Sequence, residues 1–346
     1  HNMSVSWQDV LTLEDMASKG TLPIRAYNAI DLEYAPNLAA SGARESNDGH
    51  AITKTIKIYM DGALGSRGAA LLEPYSDADG TGLVTLRENE GRGVMNTAIA
   101  RGLQIAAHAI GDKGNRLALD WMADAFARAG LTPTDADQNP RWRIEHAQIV
   151  NPADIGRFKT LGLVASMQPS HAVSDLHFAP SRLGDARLFG AYAWKSFIED
   201  GTVVAGGSDA PVEEGSPLIE FYAAVARSDL SGFQGDNWHA EEAVTRAEAL
   251  AMFTSAPAYA SFREDELGTI EVGKRADLTA FDTDLMTAAP ADILKSKPVL
   301  TVVDGRPVYS QLPSFPVVKV IVGGEAGNTD EASVPDAPLG NETSPQ

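Results

Sequence analysis

Short apolar runs alternate along the chain with longer stretches of helical periodicity, a rhythm that predicts βα units around a parallel sheet. Six runs read as strands: IRAYNAI (24–30), IKIYMDG (56–62), LQIAAHA (103–109), WRIEHA (142–147), LVASMQ (163–168) and VVAGGSD (203–209). Helices are predicted over Trp7–Lys19, Asn89–Arg101, Asp112–Ala129, Pro152–Leu161 and Trp194–Asp200. Asn151 before Pro152 reads as a helix N-cap, and Gly102 and Gly130 stand where C-terminal glycine caps belong. After residue 209 the pattern turns helical, with Thr245 and Glu248 forming a capping box. Residues 1–266 are thus expected to form one α/β unit. Residues 267–322 read as a small β appendage with a hairpin at Asp304-Gly305. The tail from 323 to 346, acidic and without a basic residue, is expected to be disordered.

Composition narrows the function classes. Of 346 residues, 44% are hydrophobic and 22% charged, as in ordinary globular proteins. The formal net charge of -19 repels phosphate backbones and no basic stripe offsets it, which argues against nucleic acid as a partner. With no cysteine there is neither a disulfide nor a thiolate metal ligand. No apolar run approaches the roughly 20 residues of a membrane span. The expected partner is a small-molecule substrate, with a homodimer left open. The chain opens at His1 without a leader pattern, so the reading frame is expected to begin upstream. Location is left open, the cytoplasm being favoured over the periplasm.

The candidate chemistry lies at the strand ends. Lys57, Asp61, His108, His146, Gln168 with His171 close behind, and Asp209 all fall at or just beyond the C-terminal ends of predicted strands, where βα loops converge on the active site of a parallel barrel. Two neutral imidazoles, a carboxylate and an anionic oxygen ligand suit Zn²⁺ or a similar divalent ion, one or two in number. Such an ion would also give the polar ring of His108 a partner at the end of an apolar strand. By position alone Lys57 is either a lysine snorkelling outward or one that reacts with CO₂ to give a carbamate ligand. Asp209, in GGSDAPV, suits a general base at the metal's edge or, more plainly, a turn cap. His171 and Arg67 are placed to touch substrate. A phosphate-cradling role for the glycine-rich segment after Lys57 fails for want of a P-loop pattern.

The segments IKIYMDGALGSRGAAL, HAIGDKGNRLALD, RIEHAQIV, ASMQPSHAVSD, GGSDAPV and GTIEVGKRADLTAFD resemble the YtcJ-like branch of the amidohydrolase superfamily, amidohydrolase family 3. The resemblance implies a distorted (β/α)8 barrel with a small β-sandwich. It also implies metal-dependent hydrolysis of C–N bonds in amides, N-acyl amines or cyclic amides. Carried over by position, Lys57, His108, His146 and Asp209 become metal ligands, Asp209 also the base; Asp61 is expected to join His171 and Arg67 as a substrate contact. Ester or phosphoester hydrolysis, or an inactive remnant with a binding role, are the competing expectations. One departure stands out: the family's first-strand His-x-His pair is absent from the sequence. HNMSV matches the end of a second strand, so a barrel lacking its first strand, a fragment of a longer enzyme and poor activity of the isolated chain are expected.

Overall fold

The computed structural model describes residues 1–317; residues 318–322 of the expected appendage and the whole acidic tail lie outside that range. The strands are β1 (Asn2–Val5), β2 (Ala26–Asp31), β3 (Arg44–Glu45), β4 (Ala51–Tyr59), β5 (Gln104–Ala109), β6 (Arg143–His146), β7 (Val164–Met167) and β8 (Val203–Gly206). They form one eight-stranded sheet in the order β1-β2-β4-β5-β6-β7-β8, with β3 lying antiparallel against β4 and every other pairing parallel. This is the α/β architecture the sequence predicts, and β1 coincides with the HNMSV segment.

Crossover helices follow for local reasons. Ser6 caps Trp7–Ser18 reciprocally with Asp9, and Asn151 accepts from the Ala153 amide at the start of Pro152–Thr160. Gly102 and Gly130 end Glu88–Arg101 and Asp112–Ala129 with φ of 62° and 66°, backbone that a side chain would strain. Aromatic contacts join their buried faces to the sheet and to each other: Phe126 lies 4.8 Å from Trp142, immediately before β6, and Phe158 lies 4.7 Å from Phe197 on the helix Trp194–Asp200. Both pairs sit in the main apolar core, where each buried aromatic contributes on the order of 2–3 kcal/mol.

Two strand boundaries differ from expectation and both matter for the site. β4 begins at Ala51 and ends at Tyr59, so Asp61 belongs to the following loop. β8 stops at Gly206, so Asp209 stands on a loop in left-handed backbone with φ of 57°. Strands β9 (Leu278–Phe281), β10 (Pro298–Val303) and β11 (Arg306–Ser310) form a separate antiparallel sheet. Its Asp304-Gly305 turn has positive φ at both residues, the geometry a two-residue hairpin favours.

Candidate active site

Register decides which side chains meet. Tyr59 pairs with His108 and His108 with Glu145, so Lys57, Tyr59, His108 and Glu145 share one face of the sheet. Strict alternation would turn His146 to the other face. Instead β6 ends in two left-handed residues, His146 with φ of 76° and Ala147 with φ of 44°, and the imidazole swings beside His108 with ring centroids 4.5 Å apart. Left-handed backbone in two successive non-glycine residues is costly, and such cost collects at functional sites. The ring of His171, on the helix Pro169–Asp175 that follows β7, stacks 5.7 Å from His146.

Hydrogen bonds set the state of each ring. Gln168 turns its amide nitrogen to the Ser166 carbonyl and its oxygen to His146 Nδ1 at 2.9 Å. His146 therefore donates from Nδ1, and its Nε2 carries a bare lone pair. His108 Nε2 is buried without a hydrogen-bond partner, 3.6 Å from Asp61 Oδ1. Burial, reinforced by the Lys57 charge, pushes His108 down to about 3. Burial holds His146 well below the ordinary histidine range, with His108 and Lys57 adding to the effect, and drives His171 to about 4. All three rings are neutral at neutral pH, the state in which imidazole binds metal.

Lys57 is buried, 3% exposed, and forms no ion pair among the described residues; its Nζ sits 5.2 Å from the Tyr59 ring centre. Desolvation lowers its affinity for a proton, against the pull of Glu145 and Asp209. Asp209 is half-buried, and burial raises its carboxyl above the usual range while Lys57 opposes the shift. Beneath the histidines, Arg143 and Glu145 form a buried ion pair at 2.8 Å, with Arg143 also donating to Ser166 at 2.6 Å.

Two residues expected to touch substrate are engaged by other parts of the chain. Both oxygens of Asp61 are taken by backbone amides, those of Ala70, Ile110 and Gly111, at 2.8–2.9 Å. Gly114 leaves room for this carboxylate, since a Cβ there would lie 2.5 Å from Asp61 Oδ2. Asp61 thus clamps two loops. Arg67 turns away to a bidentate pair with Asp77 at 3.0 and 2.9 Å.

Metal binding can be weighed against the donors present. His108 and His146 offer unpartnered nitrogens side by side, so the pair suits a divalent ion. Among the described residues, however, no three His, Asp or Glu side chains converge tightly enough to hold one by themselves. A complete ligand set needs Lys57 in an anionic form, movement of Asp209, or donors beyond these residues. Sequence reasoning missed Gln148, whose amide nitrogen lies 3.0 Å from His171 Nδ1, and Asp175, which meets that same nitrogen from one helical turn beyond His171.

Residues 2–309 match the model of the amidohydrolase family. The chain belongs to that family. This amidohydrolase is 33% identical over 257 residues to YtcJ of Bacillus subtilis, covering 74% of the chain but 47% of YtcJ. It is 32% identical over 214 residues to the N-substituted formamide deformylase of Arthrobacter pascens, covering 62% of the chain and 38% of that enzyme. An uncharacterized metal-dependent hydrolase from Pyrococcus furiosus superposes with a TM-score of 0.67 at 31% identity, over 79% of this chain and 54% of the other. The amidohydrolase described here thus spans about half the length, or less, of these relatives. Among the described residues no helix is long and apolar enough to cross a membrane.

Proposed function

We propose that this chain carries part of the active site of a metal-dependent hydrolase that cleaves C–N bonds in small-molecule amides, with N-acyl amines and N-substituted formamides as the substrate class. The observation that carries the reading is the pairing of His108 with His146. Two neutral rings lie 4.5 Å apart, one forced there by left-handed backbone, each presenting a nitrogen without a partner. The metal-dependent relative and the formamide deformylase point the same way.

His108 and His146 would hold the ion, with Lys57 and Asp209 as further ligands; Zn²⁺ suits this oxygen and nitrogen set. A bound divalent ion supplies an acidified water and polarises the substrate carbonyl. The chain's own residues do the rest. Asp209 receives a proton at its carboxylate and returns it to the departing nitrogen, a role its half-buried position and raised proton affinity suit. Burial lowers the affinity of Lys57 for a proton, which favours its free-amine form; that amine would attack CO₂, its nitrogen bonding the carbon as one C–O π bond opens and an N–H proton leaves to solvent, giving an anionic carbamate.

The test uses the protein purified without chelators beside a His108→Ala/His146→Ala double variant. Bound metal is measured by mass spectrometry, and hydrolysis is followed on N-substituted formamides, N-acyl amines and matched esters. Metal and amide turnover in the parent, both lost in the variant, are expected. Turnover of esters alone, or metal retained equally by the variant, overturns the proposal.

A further inference from the structure

His146 and His171 lie in similar surroundings, each buried and neutral, each with Nδ1 against a glutamine. The two glutamines point opposite atoms at their histidines. Gln168 offers its oxygen to His146, but Gln148 offers its amide nitrogen to His171 Nδ1 at 3.0 Å. The orientation of Gln148 is fixed from the far side, where the same nitrogen lies 3.5 Å from Asp175 Oδ2, an oxygen that also accepts the Tyr192 hydroxyl. Were the amide reversed, two acceptor oxygens would face each other in a buried space, a cost of roughly 1–3 kcal/mol.

That arrangement is itself anchored. The Tyr192 amide donates to the Gln148 carbonyl at 2.5 Å, and the Tyr192 carbonyl accepts from the buried Arg227 guanidinium at 2.6 Å. Gln148 and Tyr192 are thereby tied through main chain as well as through Asp175. With a donor facing Nδ1, the single proton of the neutral His171 ring belongs on Nε2. That nitrogen is buried, has no hydrogen-bond partner and lies 3.7 Å from Asp209 Oδ2, so its N–H points into the site unspent.

We infer that Gln148 and Asp175 are positioning residues that lock His171 as its Nε2–H tautomer, making it a hydrogen-bond donor to substrate oxygen and removing it from the metal's ligand set. His146 and His171 then divide the labour according to the direction of one amide each. The naming of metal and substrate rests on the proposed function; the tautomer does not.

The experiment is two-bond ¹H–¹⁵N correlation spectroscopy on ¹⁵N-histidine-labelled protein, with His171 assigned by its loss in a His171→Asn variant. Parent protein should show His171 with a protonated, pyrrole-like Nε2 and a pyridine-like Nδ1. Gln148→Glu should place a proton on Nδ1, since a carboxylate can only accept. Gln148→Leu, which keeps the apolar volume, should let the two tautomers mix, and it carries the test if the charged variant does not fold. On addition of Zn²⁺, the His108 and His146 signals should move while His171 Nε2 keeps its proton. A pyridine-like Nε2 in the parent, or a folded Gln148→Glu protein with the parent's tautomer, overturns the inference. So does loss of the Nε2 proton on adding Zn²⁺, which would make His171 a ligand while leaving the metal reading intact. If no histidine responds to Zn²⁺, the metal reading fails and the tautomer lock still stands on the parent and variant spectra.

Discussion

Where β2 begins, Arg25 lies 2.6 Å from both Asp277 and Asp304; where β6 begins, Arg141 lies 2.6 Å from Glu264. Arg263 pairs with Glu45 and Glu266, and Arg275 joins Glu266 to Asp304, so this end of the sheet is tied to the small antiparallel sheet by matched charges. At the opposite edge of the same sheet, among the described residues, Lys57 has no ion-pair partner and His108 Nε2 and His171 Nε2 have no hydrogen bond. The comparison separates two uses of polarity. Charges at the N-terminal edge are paired with opposite charges and hold parts together, whereas Lys57 and the histidine nitrogens at the C-terminal edge are left without partners at a cost in stability. Unspent polar groups are what a binding site has to offer a ligand.

The largest effect should come from removing the most expensive of them. Lys57→Met keeps the length of the side chain and deletes a buried amine with no hydrogen bond. Stability to urea should rise by about 1–3 kcal/mol, because an unpaired buried polar group is relieved. Amide turnover should fall by roughly a thousandfold, on the order of 4 kcal/mol of lost transition-state stabilisation. A carbamate ¹³C signal from protein equilibrated with labelled bicarbonate should vanish with it. A variant less stable than the parent would mean that Lys57 is part of the satisfied framework. At the other edge the signs reverse. Arg25→Ala leaves Asp277 and Asp304 facing each other without their shared cation. It should cost roughly 1–3 kcal/mol, the range for hydrogen bonds to charged groups, with turnover unchanged. A loss below about 0.5 kcal/mol would place that pair among ordinary surface charges and weaken the contrast.

The sequence made the apolar strands easy to read and the site only partly so, for reasons that can be given residue by residue. β5, β6 and β7 are short, buried runs set off by the helices around them, and their boundaries fall within a residue or two of expectation. β4 was placed five residues late because Thr53, Lys54 and Thr55 interrupt its first half, and alternation there is weaker than in the IKIYM run. The residue types of the site were visible, since a histidine at the end of a buried strand asks for a partner. Backbone sign was not visible. Nothing in RIEHAQ announces that His146 turns left-handed, and without that turn it would face away from His108. Nor could the partners of Asp61 and Arg67 be seen, because loop closure brings Ala70, Ile110 and Gly111 to the first and Asp77 to the second. Gln148, Asp175 and Tyr192 belong to three separate segments, so the contacts by which Asp175 and Tyr192 hold Gln148 against His171 exist only in the folded chain.

Glu220 gives the finest probe of the unsatisfied edge. One of its oxygens accepts from the Ser170 amide at 3.0 Å, and the other is buried without a partner. Burial pushes its carboxyl up to about 7, with the nearby Glu213 and Asp209 charges adding to the rise. Between the ordinary glutamate value and about 7, the folded protein holds a proton that the unfolded chain has released. Stability must therefore fall as pH rises through that window, with a limiting slope of about 1.4 kcal/mol per pH unit. The same sign applies to Asp61 and Asp175, both raised to about 6, while the three depressed histidines act in the opposite direction at lower pH. A single stability curve therefore mixes these terms, but the difference between parent and Glu220→Gln isolates one of them. Glutamine keeps an oxygen for the Ser170 amide and cannot ionise. Denaturant midpoints taken from pH 5 to pH 8 should show the parent losing ground to the variant up to about pH 7, and the two running parallel above it. Parallel curves throughout would mean that Glu220 ionises as freely in the folded protein as in the unfolded one, and that the C-terminal edge is better solvated there than its burial implies.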